Sequence, residues 1–328
     1  YDNKYLLSAS IRRDGSSRFG ANTKWGLFPS FSAGWRISDE KFMSAIDFIN
    51  DLKLRASFGT SGNYNIPDYG SIAVLGNYGY TFNGNQVTGF APSGIANPNL
   101  GWEKSNMFNI GLDMSILRSR INLSVEYYNK RTHDLLFYVP VLAVTGSGQV
   151  LSNAGEVKNT GWEVDLNTRN IAGSDFQWST NINVTKNRNE LVSLPGGQQQ
   201  LLIPSSFDIS HSILKVGEPV YSIFVVKQDG ILSAEDIANG AALYGSQTAG
   251  DPKYVDFNSD GVIDANDRQI VGHPNPDFMW GMTNTFRYKN WDLSVLVQGQ
   301  HGGSIYSLLG RALGRTGQAF TDNALGFY

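Results

Sequence analysis

The chain has 328 residues and a formal net charge of -3, so it lacks the basic footprint of a nucleic-acid-binding protein and carries no acidic tail. It contains no cysteine, which excludes disulfides and thiolate chemistry, and no apolar run of about 18 residues, which excludes a membrane-crossing helix. Its 36 glycines, 15 tyrosines, 18 phenylalanines and 7 tryptophans suit turns, β structure and interfacial aromatic girdles.

Extended chain begins almost at once. Tyr5, Leu7, Ala9 and Ile11 alternate with Leu6, Ser8, Ser10 and Arg12, a period of two that predicts a strand with one apolar face. No signal peptide precedes it, which points to a fragment. After a polar loop (Arg13 to Lys24), Phe31, Ala33, Trp35 and Ile37 alternate with Ser30, Ser32, Gly34 and Arg36 in a second strand. From Asp39 to Asn50 the period changes: Phe42, Ala45, Ile46 and Ile49 share a helical face, with Ser38 as the expected cap. Leu52, Leu54, Ala56 and Phe58 against Lys53, Arg55 and Ser57 predict the third strand. A long loop from Ser61 to Trp102 follows, bearing Tyr64, Tyr69, Tyr78, Tyr80 and Phe82.

The clearest hairpin spans Glu103 to Arg131. Phe108, Ile110, Leu112, Met114 and Ile116 alternate with polar residues in one arm, and Ile121, Leu123, Val125 and Tyr127 in the other. Each arm has about ten residues or more, against about five or six in an ordinary strand and about 9–11 for a bilayer-crossing one. After a loop from Thr132 to Asn159, which includes the apolar Leu135 to Val144, come strands around Trp162–Arg169 and Phe176–Val184. The longest loop, 189–279, ends at a last pair, Trp280–Tyr288 and Trp291–Gln300, in which Asn284 interrupts one apolar face. Beyond residue 300 the alternation stops, so 301–328 reads as the start of a further loop.

About nine strands thus alternate between short and long connections, as bacterial outer-membrane barrels do with short periplasmic turns and long extracellular loops. Their polar faces carry Arg36, Lys53, Arg55, Asp113, Glu126, Asp165 and Arg169, in keeping with a wet lumen. The alternative is a soluble antiparallel sandwich, which shares the alternation but does not require such long strands or loops so long at one end. The fold class expected is all-β, a large antiparallel transmembrane barrel in the outer membrane of a Gram-negative cell, with residues 1–300 supplying strands and loops.

Within the longest loop, residues 256–267 place oxygen-bearing side chains at loop positions 1, 3, 5, 9 and 12, with Gly261 at position 6. A hard cation such as Ca2+ needs about six to eight oxygens around a tight turn. Asp256, Asn258, Asp260 and Asp267 would give side-chain oxygens, Asp264 one directly or through water, and Val262 a carbonyl. Asp267 replaces the usual Glu, and the flanks lack clear helices; a solvated acidic turn without metal is the alternative. The role of such an ion would be structural. No Gly-x-Ser-x-Gly, phosphate-binding Gly-Lys-Ser/Thr or His-Glu-x-x-His motif occurs, and His133, His211, His273 and His301 are scattered, so no enzyme is indicated.

Several motifs occur in one order: Asn97-Pro98-Asn99-Leu100-Gly101-Trp102-Glu103, Thr160-Gly161-Trp162-Glu163, Gly217-Glu218-Pro219, Asp229-Gly230-Ile231, Gly250-Asp251-Pro252-Lys253-Tyr254, residues 256–267, and Val271-Gly272-His273-Pro274-Asn275-Pro276. Across nearly the whole chain this string resembles the SusC/RagA class of TonB-linked outer-membrane transporters. The resemblance implies a barrel of about 22 strands, the large plugged type, of which this chain would be the middle-to-late part. The plug, the TonB box and the last strands would lie outside it. It further implies import of oligosaccharides or peptides, a SusD-like surface lipoprotein as lid, and the TonB complex acting through the plug. Tyr64, Tyr69, Tyr78, Tyr80 and Phe82 would stack on sugar rings, or else pack the loop itself. A calcium-stabilised surface adhesin is the second reading of the same features.

Overall fold

A ribbon with apolar side chains on one face and charged ones on the other must meet two solvents, or bury one face against a second layer. The computed structural model describes residues 1–92, 94–142, 149–203 and 210–307. In chain order, β1 (Tyr5–Gly15), β2 (Trp25–Arg36) and β3 (Ile49–Asn63) precede a small hairpin, β4 (Leu75–Phe82) and β5 (Asn85–Pro92). Then come β6 (Glu103–Ile116), β7 (Ile121–His133), a second small hairpin of β8 (Leu136–Pro140) and β9 (Gln149–Asn153), and the long pair β10 (Glu156–Ala172) and β11 (Phe176–Ser193). The short strands β12 (Gln200–Ile203), β13 (Ser212–Lys215), β14 (Ser222–Val226) and β15 (Gln228–Ile231) lead to α1 (Ala234–Ala238). β16 (Pro252–Tyr254) and β17 (Arg268–Gly272) follow, and β18 (Phe278–Tyr288) and β19 (Trp291–His301) end the series.

Among the described residues nine strands form one sheet, ordered β1-β2-β3-β6-β7-β10-β11-β18-β19. Every neighbouring pair is antiparallel. These are the nine strands the alternation predicts, and they run from 11 to 18 residues, long enough to cross a bilayer's hydrocarbon and project beyond it. The sheet is a meander, open between β1 and β19.

Register turns the alternation into rows. Leu54, Leu112, Val125, Val164, Val184 and Trp280 lie side by side on one face, and Met114, Leu123, Leu166, Ile182, Met282 and Val297 form the adjoining row on that face. Aromatics flank this band: the rings of Tyr127 and Trp162 lie 4.9 Å apart, and those of Trp178 and Phe286 stack at 5.7 Å. Asn284, the interruption in the last hairpin, lies beside Thr180, accepting hydrogen bonds from its hydroxyl (2.6 Å) and from Trp178 Nε1 (3.0 Å). It belongs to the polar end of the band, not to a broken strand.

By contact pattern the chain divides into two units: Tyr1–Gln199 with Asp277–His301, and Gln200–Pro276 with the described residues after His301. Three expectations are corrected here. The stretch 39–50 is no helix: Ile37–Asp39 and Lys41–Met43 are separate 3-10 turns, and Ile49 is drawn into β3 opposite Ile116. Ser38 caps nothing. Its hydroxyl donates to Asp51 (3.2 Å) and Asp39 (3.4 Å), while Glu40 ties the turn by accepting from Tyr5 Oη (2.6 Å) and Trp35 Nε1 (3.1 Å). The stretches 61–102 and 132–159 each contain a hairpin, β4–β5 and β8–β9, with residues 143–148 outside those described. And 189–279 is less a loop than a small β unit: a four-stranded sheet, β12-β13-β14-β17, plus the pair β15-β16.

Candidate functional site

The polar face of the large sheet carries a charge network and separate clusters of hydrogen-bonded polar side chains. Arg55 on β3 reaches Asp113 on β6 (3.2 Å) and Glu126 on β7 (2.6 Å), while the Ser124 hydroxyl donates to Asp113 (2.8 Å). To span two strands the guanidinium must lie flat across β6, and Gly111 permits it: a Cβ there would stand 2.6 Å from Arg55 Cζ. Further along the same face, Tyr128 Oη donates to Asn187 (3.0 Å), whose amide donates to Asn159 (3.2 Å), which also accepts from Asn189 (2.9 Å). Asn181 donates to Asp165 (3.2 Å) and Asn167 (2.8 Å). These side chains are mostly half-buried, as in a hydrated polar wall. Lys53, Arg55, Ser57, Asn109 and Leu6 line a shallow cavity of about 360 Å3 on it. Such a wall can solvate and align a polar solute.

The connections at the other end of these strands are welded together. Phe19, Phe28, Ile66, Leu100, Trp102 and Leu151 form one buried cluster, with Leu136 against it. Trp102 contacts Phe19 (centroids 5.0 Å) and Phe28 (5.3 Å), and its indole N–H donates to Lys24 O (3.3 Å). The Asn153 amide donates to Gly101 O (2.8 Å) and its oxygen accepts from Gly101 N (2.7 Å); Asn97 Nδ2 donates to Leu151 O (3.0 Å), and Leu136 N to Glu103 Oε2 (3.2 Å). The motif Asn97–Glu103 is therefore the knot joining the β1–β2, β3–β6 and β7–β10 connections. Sequence reading notices the motif but not this role, which depends on contacts some fifty to eighty residues apart.

The five loop aromatics do not converge. Tyr64 packs edge-on against Trp102 at 5.8 Å, with Arg18 over its ring, so it belongs to the knot. Tyr69 is exposed. Tyr78, Tyr80 and Phe82 occupy alternate positions of β4, opposite Gly89, Val87 and Asn85, and are 50 to 67% exposed. They form an outward-facing row, not internal packing.

Residues 256–267 form a tight turn in which Gly261 takes φ +85°. Asp256 accepts from the backbone N–H groups of Asp260 (3.2 Å) and Gly261 (2.9 Å), Asn258 from Asp260 (3.0 Å), Asp260 from Val262 (2.9 Å) and Asp264 from Asn266 (2.6 Å). Asp267 is fully buried and closes the ring, accepting from the N–H groups of Asp264 (2.7 Å) and Phe257 (2.9 Å). Those bonds, that of Asp264 foremost, hold its carboxyl below the usual carboxylate range. Among the described residues no three acidic or histidine side chains converge as a metal cage, yet each oxygen keeps further lone pairs, and the donor set is all hard oxygen. It fits Ca2+ chemically, with 3-10 and β flanks instead of helices.

Residues 1–209 match the model of the family described as TonB dependent receptor-like, beta-barrel. TonB-dependent receptor P3 of Formosa agariphila is 36% identical over 315 residues, covering 94% of this chain and 32% of that protein. TonB-dependent receptor SusC of Bacteroides thetaiotaomicron is 33% identical over 337 residues, covering 98% of this chain and 32% of that protein. The chain spans about a third of the length of the curated relatives it matches. Among solved structures, the RagAB peptide importer in its closed-closed state superposes with a TM-score of 0.77 at 25% identity, over 92% of this chain and 32% of that one.

Proposed function

Because this chain belongs to the TonB-dependent receptor-like β-barrel family, of the SusC/RagA type, which makes it outer-membrane barrel sequence and not an enzyme, we propose that it forms one wall of an energised import channel. The observation that carries the reading is the two-faced sheet, with an apolar band on one side and the Arg55–Asp113–Glu126 network on the other. Such a wall separates hydrocarbon from a water-filled passage. The cargo is an oligosaccharide or a peptide too large for passive pores; the likeness to the RagAB peptide importer supports the second. A SusD-like surface lipoprotein serves as partner on the outside, and the TonB complex acts through a plug. The segment after His301 is assigned a contact with that lipoprotein, and most of it falls outside the described residues. The exposed row Tyr78, Tyr80 and Phe82, with Tyr69 near it in sequence, offers flat surfaces for cargo.

The test is uptake by cells carrying the full-length protein, measured for labelled oligopeptides and oligosaccharides with the TonB complex intact and deleted. Uptake of one class that disappears with TonB is expected. Uptake indifferent to TonB refutes the energised reading.

Ca2+ would be held by Asp256, Asn258, Asp260, Asp264 and Asp267 with the Val262 carbonyl. Its role would be to brace the second unit by drawing these oxygens to one centre. Calorimetric titration of the full-length protein should show binding at or below about millimolar Ca2+, weakened by Asp260→Ala. A flat titration sinks the assignment.

A further inference from the structure

The second unit carries an open cavity of about 260 Å3. Tyr244, Tyr254, Tyr306, Val226 and Ile263 line it, together with the cation Arg268. Arg268 begins β17 and pairs with Val226 of β14. Ile263 is 3% exposed and donates its N–H to Leu243 O (3.1 Å), fixing the segment that bears Tyr244. The Tyr306 ring stacks on His211 with centroids 4.3 Å apart and planes 13° from parallel. Among the described residues, Arg268 has no ion-pair partner and the three tyrosine hydroxyls have no hydrogen-bond partner.

An unpaired guanidinium offers a planar fork of donors matched to a carboxylate. Three phenol rings around it supply faces for a compact body and hydroxyls for its polar edge. The volume lies just under the range of about 300–1,000 Å3 usual for small-molecule sites, so it accommodates a single residue-sized unit and not a whole oligomer. We propose that this cavity binds the carboxylate-bearing unit of a small organic acid, Arg268 taking the carboxylate and Tyr244, Tyr254 and Tyr306 enclosing its body. A uronate unit of an oligosaccharide and the C-terminal residue of an oligopeptide present the same chemistry. The inference rests on the import reading only in treating that acid as cargo.

The test is calorimetric titration of the full-length protein in detergent with digalacturonate and with trialanine, beside digalacturonate methyl ester and trialanine amide. One acid should bind and its neutral counterpart should not; which acid binds identifies the source. Arg268→Gln should weaken binding at least tenfold, and Arg268→Lys, which keeps the charge but loses the fork, should fall between. Heat-modifiable gel mobility checks that both variants retain the barrel. Failure of both acids to bind, or undiminished binding by Arg268→Gln, overturns the pocket. Binding that persists while uptake proves independent of TonB overturns the import reading alone.

Discussion

Leu166 and Asn167 are neighbours on β10 and, by register, occupy opposite worlds. Leu166 lies between Leu123 and Ile182 in an apolar row near the middle of the outer face. Asn167 points the other way, bonded to Asn181 and beside Asp165. An arginine at 166 must either bring its charge into hydrocarbon or bend away to escape it. Near the bilayer midplane this costs about 2–4 kcal/mol, a drop of roughly 30- to 700-fold in the folding equilibrium. An arginine at 167 meets water and the Asp165 carboxylate, so its effect should stay within about 1 kcal/mol in either direction. Urea unfolding of the full-length protein in phospholipid vesicles, followed by tryptophan fluorescence, measures both. Leu166→Arg should lose stability and Asn167→Arg should not. Equal losses, or the larger loss at 167, would refute the assignment of faces on which the channel rests.

Arg55→Gln leaves Asp113 and Glu126 without their shared cation; since the three side chains are 20 to 34% exposed, water screens the loss to about 1–2 kcal/mol, below the about 3–5 kcal/mol of a fully buried pair. Adding Glu126→Gln should recover part of it, a coupling that a double-mutant unfolding cycle reads directly. Trp102→Ala empties the centre of the loop knot and should cost about 3–5 kcal/mol there. Limited proteolysis should then cut the 16–24 and 64–102 connections while the strands stay protected; uncut loops would show that the knot does not depend on Trp102. In the second unit, Lys253 Nζ at 2.5 Å, with Ser233, pulls the Asp236 carboxyl far below the usual carboxylate range, and Asp236 in turn raises Lys253. A depressed carboxyl stabilises the fold above its ordinary value of about 3.9 and ceases to as pH falls below it; a raised lysine stabilises below its ordinary value of about 10.4 and ceases to as pH rises past it. Asp236→Asn should therefore flatten the stability profile at both ends, and an unchanged acid limb in urea titrations would count against the pair.

The sequence by itself determined the number of long strands and which side chains of each share its apolar face. A side chain's face on a strand depends only on odd or even position, so alternation such as Phe108 to Ile116 carries that information without reference to any distant residue. The alternation of short and long connections followed from the same count. What depended on distance was decided only in three dimensions. The stretch 39–50 has helical spacing, but strand pairing at Ile49 and the bonds of Glu40 outweigh a weak local preference. Loop aromatics with one composition went to two fates, Tyr64 into the knot and Tyr78, Tyr80 and Phe82 to the surface, because burial depends on what a neighbouring connection brings. Arg55 reads in the chain as one more polar-face charge; only register sets Gly111 beside it and Glu126 beyond. The cavity around Arg268 gathers residues from Ser210 to Tyr306, and no local rhythm encodes a meeting of segments that far apart.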